Sequence, residues 1–396
     1  MLNRFNRVLD LVPFLLALLL ALIVASGLLL ALDASPITAY QAMLEGAVGN
    51  ENATAETLVK AIPIMFVAIG ICIAFQGGVV NIGGEGQMIM GALAGTATAL
   101  SLGDSVFVIP LSIFAGFLAG ALYGGLAGFL KAYFDVNEIL STIMLNQIAA
   151  QIMNYLLNGI MLDPESGGLN NIPKTARIVS EAELPRLSIT VPQFAVSLFG
   201  GDPVLFDRTR LHYGLLIAVV LAVVVYVLLW RTSIGYRIRA VGKNERAARY
   251  AGINVKRQMI LSMFLAGGFA GIAGAVQVLG LQYRLQTDGS PTGFTANAGF
   301  NGIVAALFGG LNPIGALPAS TFFGGLLVGA QKMQREIDVP ASLITAVNGI
   351  IVVFVVSSQI FMRRRAKRRI STGGDAAVNT VASSKPTITK MEEQPI

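Results

Sequence analysis

The sequence predicts an all-α, polytopic integral membrane protein of about ten transmembrane helices, two of them short or broken. Three observations carry this. Hydrophobic residues make up 54% of the 396 and charged residues only 13%, with a mean hydropathy of +0.69, outside the balance of a soluble globular domain. Apolar runs of spanning length recur along the chain. Finally, acidic and basic residues collect in different loops, as charge-directed orientation requires. The excess of 28 basic over 22 acidic residues, net +6, therefore reflects topology rather than nucleic-acid binding. The single cysteine, Cys72, excludes an intrachain disulfide and leaves no cysteine cluster for a metal. His212, the one histidine, opens an apolar run and reads as an interfacial residue rather than a ligand.

Residues 11–32 run for 22 positions without a charge, enough to cross a hydrocarbon core of about 30 Å. Arg4 and Arg7 precede them, which predicts a cytoplasmic N-terminus over residues 1–10 and a retained anchor rather than a cleaved signal. Further apolar runs lie at 58–75, 88–102, 106–130, 139–161, 213–230, 259–281, 299–311, 314–331 and 342–362. Those at 88–102 and 299–311 are short and rich in small residues, so they are expected as broken or re-entrant segments. Residues 33–57 hold four acids and no base, whereas 231–257 and 363–369 are strongly basic. Ten crossings over 11–362 place 33–57, 163–210 and 332–340 outside, and Lys131, 231–257 and both termini inside. The 163–210 segment, with five prolines and mixed charge, is expected as a structured external loop and receptor contact. The tail, 363–396, opens with RRRAKRR, a membrane-surface stop signal, and continues polar and low in apolar periodicity, so it is expected to be disordered.

Between two apolar runs, residues 231–257 (RTSIGYRIRAVGKNERAARYAGINVKR) carry eight Lys or Arg and one acid. Asn244 can cap a short helix, Glu245 suits its positive end, and Gly252 can end it in a left-handed turn. Ala247, Tyr250 and Ala251 then share one face, while Arg246 and Arg249 share another. An aromatic knob among alanines suits a groove in a partner. The segment reads either as a docking site or as a basic loop that only fixes orientation.

Two polar motifs interrupt the apolar runs. In NIGGEGQ, residues 81–87, glycines flank Glu85, and Asn81, Glu85 and Gln87 bring amide and carboxyl groups close to the membrane. Either they face substrate, or the segment is a hinge at the inner face with Glu85 at a helix N-terminus. In GFNGIVAALFGGLNPIG, Asn301 is the strongly polar group and Phe300 its aromatic neighbour, so these two are the candidates for lining a pathway. The glycines here, and those of AGGFAGIAGAVQ (266–277), read as helix-packing surfaces. A pathway would place Phe300 and Asn301 of one half opposite Asn81, Glu85 and Gln87 of the other.

Enzyme signatures are missing: no phosphate-binding Walker loop, no HExxH, no GxSxG, no histidine cluster. The remaining readings are a transport subunit driven by a partner, a self-contained carrier, and a channel. Ion-coupled carriers keep charges within their spans, and the spans assigned here are nearly free of them, which favours an external motor.

The order VGKNERAARYAGINVKR, Gly-rich helix, GFNGIVAALFGGLNPIG resembles the permease subunits of bacterial ABC importers of the ribose, branched-chain amino acid and nucleoside group, over about residues 58–362. The resemblance implies that Gly242, Asn244, Glu245, Ala247, Ala248, Tyr250, Ala251 and Gly252 belong to the coupling loop that touches an ATPase. It also implies that the chain holds no cofactor, ATP and Mg belonging to that ATPase. Sugar permeases of the group are similar to one another in an Asp-Leu-Ser type sequence where this chain has NIGGEGQ, a form that resembles the nucleoside permeases. A second, paralogous permease and an external substrate-binding lipoprotein are the further implied partners. Nucleoside is the expected cargo, with a sugar or other small polar metabolite as the alternative.

Overall fold

The computed structural model describes residues 16, 19–31, 33–164, 172–190, 204–206, 208–337, 346, 349, 350, 353, 354 and 357. The expected cytoplasmic segment 1–10, the tail 363–396, most of the 342–362 run and parts of the 163–210 loop lie outside them. The chain divides into residues 29–348 and a second unit of 1–28 with 349–396. An apolar helix, α1, runs over Leu19–Leu30.

The architecture is all-α. Among the described residues of 29–348 the helices are α2 (Pro36–Val48), α3 (Glu51–Gln76), α4 (Gly84–Leu102), α5 (Val108–Phe134), α6 (Glu138–Leu157), α7 (Gly214–Arg231), α8 (Ser233–Lys243), α9 (Glu245–Tyr250), α10 (Val255–Gln277), α11 (Pro291–Thr295), α12 (Ala298–Phe308) and α13 (Pro313–Ile337). A π-helical turn, Val278–Gln282, extends α10. The two-residue strands Ile189–Thr190 and Val204–Leu205 pair antiparallel. Among the described residues five helices are long and apolar enough to cross a membrane: α3, α5, α7, α13 and α10 with its extension.

Local chemistry sets several helix starts. Asn50, Asn137 and Asn254 each accept from a backbone N–H in the first turn of α3, α6 and α10, satisfying donors that a helix start leaves unpaired. Helix α2 was not foreseen, since 33–57 reads as a loop. Its signal is short: Ser35 at the cap position with Pro36 behind it, a proline placement that costs no hydrogen bond.

Helix α10 lies at the centre, against α5, α4 and α3, while α3 also packs on α13 and α12. The glycines of 266–277 make this possible. A Cβ on Gly271 would collide with the Gly116 carbonyl of α5, and one on Gly274 with the Met88 carbonyl of α4. Backbones therefore meet directly, the close packing that small residues provide where no hydrophobic force drives helices together in lipid.

Contacts also sort the connections by end. Arg210 forms a two-point ion pair with Glu56, at 2.8 and 2.7 Å, and Lys332 pairs with Glu45 at 2.8 Å. The acidic 33–57 segment, the 204–213 stretch and the far end of α13 thus share one end. Residues 172–190 join the 204–213 stretch through Leu187 N–H, which donates to the Leu211 carbonyl at 2.8 Å, and the segment after α10 through Thr175 N–H to the Leu285 carbonyl at 2.8 Å, Ile178 N–H to that of Tyr283 at 2.9 Å and Leu184 N–H to that of Leu279 at 2.8 Å. At the opposite, basic end, Gly78 lies against Gly242 and Lys256 sits 4.6 Å over the Tyr133 ring.

Candidate functional site

Helix α3 ends at Gln76, and Gly78, at φ +79, turns the chain in a conformation few side chains tolerate. The chain then re-enters the bundle. Gly84, the first residue of α4, lies against the Val67 side chain of α3 and against Gly299. Val67 precedes Gln76 by nine residues, roughly 13 Å along a helix axis. The NIGGEGQ motif therefore sits well inside the bundle, which, of the two readings left open by the sequence, excludes a hinge at the inner face. The short apolar run at 88–102 is correspondingly part of a 19-residue helix, because Gly84 and Gly86 stay helical where Gly299 and Asn146 crowd in and leave no room for a side chain.

Helix α12 begins at the same depth. Gly302 faces Val67 closely enough that a Cβ there would lie 2.5 Å from it, and at the other end of α12 the Gln76 amide donates to the Leu311 carbonyl at 3.2 Å. Both α4 and α12 thus start inside the bundle with their N-termini together. Glu85 joins them: its carboxyl Oε1 accepts from the Phe300 backbone N–H at 3.1 Å. Asn297, at the cap position of α12, sits in a left-handed conformation and makes no side-chain cap, so Glu85 does that work from another helix. A carboxyl group between two positive helix ends is favourably placed. Glu85 is 1% exposed, and its second oxygen has no hydrogen-bond partner among the described residues.

The other candidate residues separate into two kinds. Asn81 and Gln87 are buried and bond each other reciprocally, at 2.9 and 3.0 Å, and Asn81 also accepts from Gly83 N–H at 2.9 Å. Their amides hold the re-entrant turn. Phe300 is 44% exposed and Asn301 is half-buried, so neither side chain is sealed within the bundle. Asn146, not singled out by the sequence reading, clamps the same turn from α6, donating to the Ile82 carbonyl at 3.0 Å and accepting from Gly86 N–H at 2.8 Å. Its signal was a polar amide in the middle of an apolar run.

At the basic end, α8 leads to Asn244, whose side chain accepts from Ala247 N–H at 3.1 Å and so starts α9. Glu245 occupies the first position, and Gly252, at φ +77, turns the chain out. Ala247 and Ala251 are exposed, and Tyr250 is 94% exposed, a large aromatic ring with no cover. Ala248 is buried instead, in a cluster with Val79, Val241, Val255, Met259 and Met263. A Cβ on Gly242 would strike the Gln76 carbonyl. The short helix α9 is thus seated on the turn that leads into NIGGEGQ.

Among the described residues no three His, Cys, Asp or Glu side chains cluster. The His212 imidazole, just ahead of α7, is buried against Gly280 and Gly214 and accepts from Gly214 N–H at Nδ1, 3.2 Å away. Burial pushes its pKa down to about 4.

Comparison with known proteins identifies the family. The family described as "Branched-chain amino acid transport system / permease component" matches residues 53–356. The chain is 33% identical over 374 residues to the glucose ABC transporter permease protein TsgB13 of Haloferax volcanii, covering 91% of this chain and 93% of that one. It is 33% identical over 359 residues to the guanosine ABC transporter permease protein NupP of Bacillus subtilis, covering 90% and 95%. With the nucleoside ABC transporter permease protein NupB of Lactococcus lactis it shares 30% over 355 residues, covering 89% and 92%. No solved structure matches it significantly. A helical bundle in which two helices begin inside it with their N-termini together, and a capped helix is displayed at its basic end, is thus the form taken here by a membrane transport subunit, and the chain belongs to the permease family of ABC transporters.

Proposed function

We propose that the chain carries nucleosides inward across the plasma membrane, driven by ATP hydrolysed on a partner. The observation that carries this reading is the junction of α4 and α12, where Glu85 of α4 holds the start of α12 beside the exposed Phe300 and half-buried Asn301. A nucleoside offers a flat base for an aromatic face and a hydroxylated sugar for amide and carboxyl groups. The names of NupP and NupB, which specify guanosine and nucleoside, support it. Phe300, Asn301 and Glu85 line the path in this reading, and Asn81 and Gln87 shape the turn behind it. The path should hold substrate weakly, with tight capture left to an external binding protein.

Helix α9, with Ala247, Tyr250 and Ala251 outward, is the surface for the ATPase, which holds the ATP and Mg. The end bearing α8 and α9 is then cytoplasmic, and the end bearing 33–57 and 172–190 faces outward to the binding lipoprotein. A second, paralogous permease completes the pore; Bacillus subtilis has a further relative, the guanosine ABC transporter permease protein NupQ, 28% identical over 272 residues.

The glucose permease of Haloferax volcanii favours a second reading, sugar import. Uptake of a labelled nucleoside by cells with the complete system, challenged with unlabelled nucleosides, pentoses and glucose, separates the two. Competition by nucleosides alone is expected, together with a changed order of competitors in Asn301→Leu. Glucose competing as well as a nucleoside would overturn the nucleoside assignment.

A further inference from the structure

We propose that a groove between the basic-end portions of α5 and α10 binds an anionic phospholipid from the adjoining leaflet, its phosphate on Arg257 and its acyl chain along the helices. The groove, about 510 Å³, is lined by Tyr133, Asn254, Arg257, Ile260, Leu261 and Phe264. On α10 the spacing of Arg257, Ile260, Leu261 and Phe264 puts all four on one face. A cation thus sits at the first turn with apolar side chains for the two turns beyond it. That is the order of polarity along a lipid, headgroup then chain.

Charge and surface both fit such an occupant. Arg257 is exposed, and among the described residues its guanidinium has no carboxylate within ion-pair distance. Lys256 adds a second cation at the rim, over the Tyr133 ring. The neighbouring acids, Asp135 and Glu138, are engaged by Lys131 at 2.9 and 3.4 Å, so they do not cancel the groove's positive charge. Asn254 spends its Oδ1 on Arg257 N–H, at 3.0 Å, and keeps an amide donor. Tyr133 suits the headgroup level, where amphipathic aromatic rings collect.

The apolar half continues outward. On α5 the side chains of Leu122, Leu126 and Phe129 are exposed and lead by helical spacing to Tyr133, so a lipid-facing stripe runs into the groove. Gly125 makes the room: a Cβ there would press to 3.3 Å from the Phe264 ring. A free phosphate would leave Ile260, Leu261 and Phe264 unused, which is why the assignment is to a lipid. Basic pockets between membrane helices suit anionic headgroups on electrostatic grounds.

Native mass spectrometry of the purified full chain, titrated with phosphatidylglycerol and with phosphatidylcholine of the same chains, tests this. Phosphatidylglycerol is expected to bind preferentially, with the preference falling about fivefold in Arg257→Gln. Leu261→Trp, which fills the apolar half, should weaken both lipids, and unchanged melting curves would establish that each variant is folded. Equal binding of the two lipids, or a preference untouched by Arg257→Gln, would overturn the proposal. So would complete displacement of phosphatidylglycerol by inorganic phosphate, the mark of a free-anion site. Cross-linking from Leu261→Cys to a second permease or to the ATPase in the assembled transporter would show that a protein covers the groove instead.

Discussion

Replacing Glu85 by Ala and by Gln separates what its carboxyl group does as an acceptor from what it does as a charge. Oε1 accepts the Phe300 N–H across 215 residues of sequence, at 3.1 Å, and the Glu85 side chain is buried. Alanine deletes that acceptor and leaves a buried N–H at the start of α12 unpaired, costing about 1–3 kcal/mol, and it removes side-chain packing against Gly299 as well. It also removes a buried carboxyl group whose second oxygen is unpartnered, which offsets part of the loss. The net expectation for Glu85→Ala is a loss of about 2 kcal/mol. Glutamine keeps both the volume and the acceptor, so Glu85→Gln should stay within about 1 kcal/mol of the parent. Thermal unfolding of the purified chain in detergent should therefore rank Gln near the parent and well above Ala. An alanine variant as stable as the parent would refute the cross-helix cap. A glutamine variant as damaged as alanine would show that charge, not acceptance, holds the junction. Transport is a separate readout: if Glu85 also meets substrate, Glu85→Gln alters the preference among nucleosides although the chain remains folded.

Four further outcomes are expected. Ala251→Arg, which puts a bulky charge on the outward face of α9, should abolish uptake while leaving the chain in the membrane, and Tyr250→Ala should weaken ATPase co-purification more mildly; normal uptake and co-purification in Ala251→Arg would remove the docking assignment. Because the folded pKa of His212, about 4, lies below its ordinary 6.5, the unfolded chain binds more protons between these values. Its stabilising contribution, up to about 3 kcal/mol, is complete above pH 6.5 and disappears as pH falls toward 4, so melting temperature should fall less steeply over that window in His212→Asn. Gly271→Val should destabilise by about 3 kcal/mol or more by driving α5 from α10, whereas Gly27→Ala, with nothing within 4 Å, should be neutral in the same melting assay. Cysteines at Thr232 and Ser371 in a Cys72→Ser background should react only from the cytoplasm and one at Ser188 only from outside, and labelling of the first two from opposite faces would contradict the charge-based orientation.

The sequence by itself determined the membrane class, most of the apolar helices and the form of α9. These depend on composition or on groups a few residues apart: Asn244 reaches Ala247, Gly252 ends the turn that Glu245 opens, and a period of 3.6 residues turns Tyr250 outward while Ala248 packs inward. It also marked the glycines of 266–277 as a packing face, because small residues at helical spacing have few other uses in lipid. Tertiary structure alone decided the depth of NIGGEGQ. Its polar composition suits a hinge at the membrane surface equally well, and only the approach of Gly84 to Val67 and Gly299 draws it inward. The same holds for the division of the polar groups. Asn81 and Gln87 satisfy each other, whereas Glu85 reaches a helix that begins more than two hundred residues later. Such pairings arise from how closely glycine-faced helices pack, a property of the assembled bundle that no local spacing encodes.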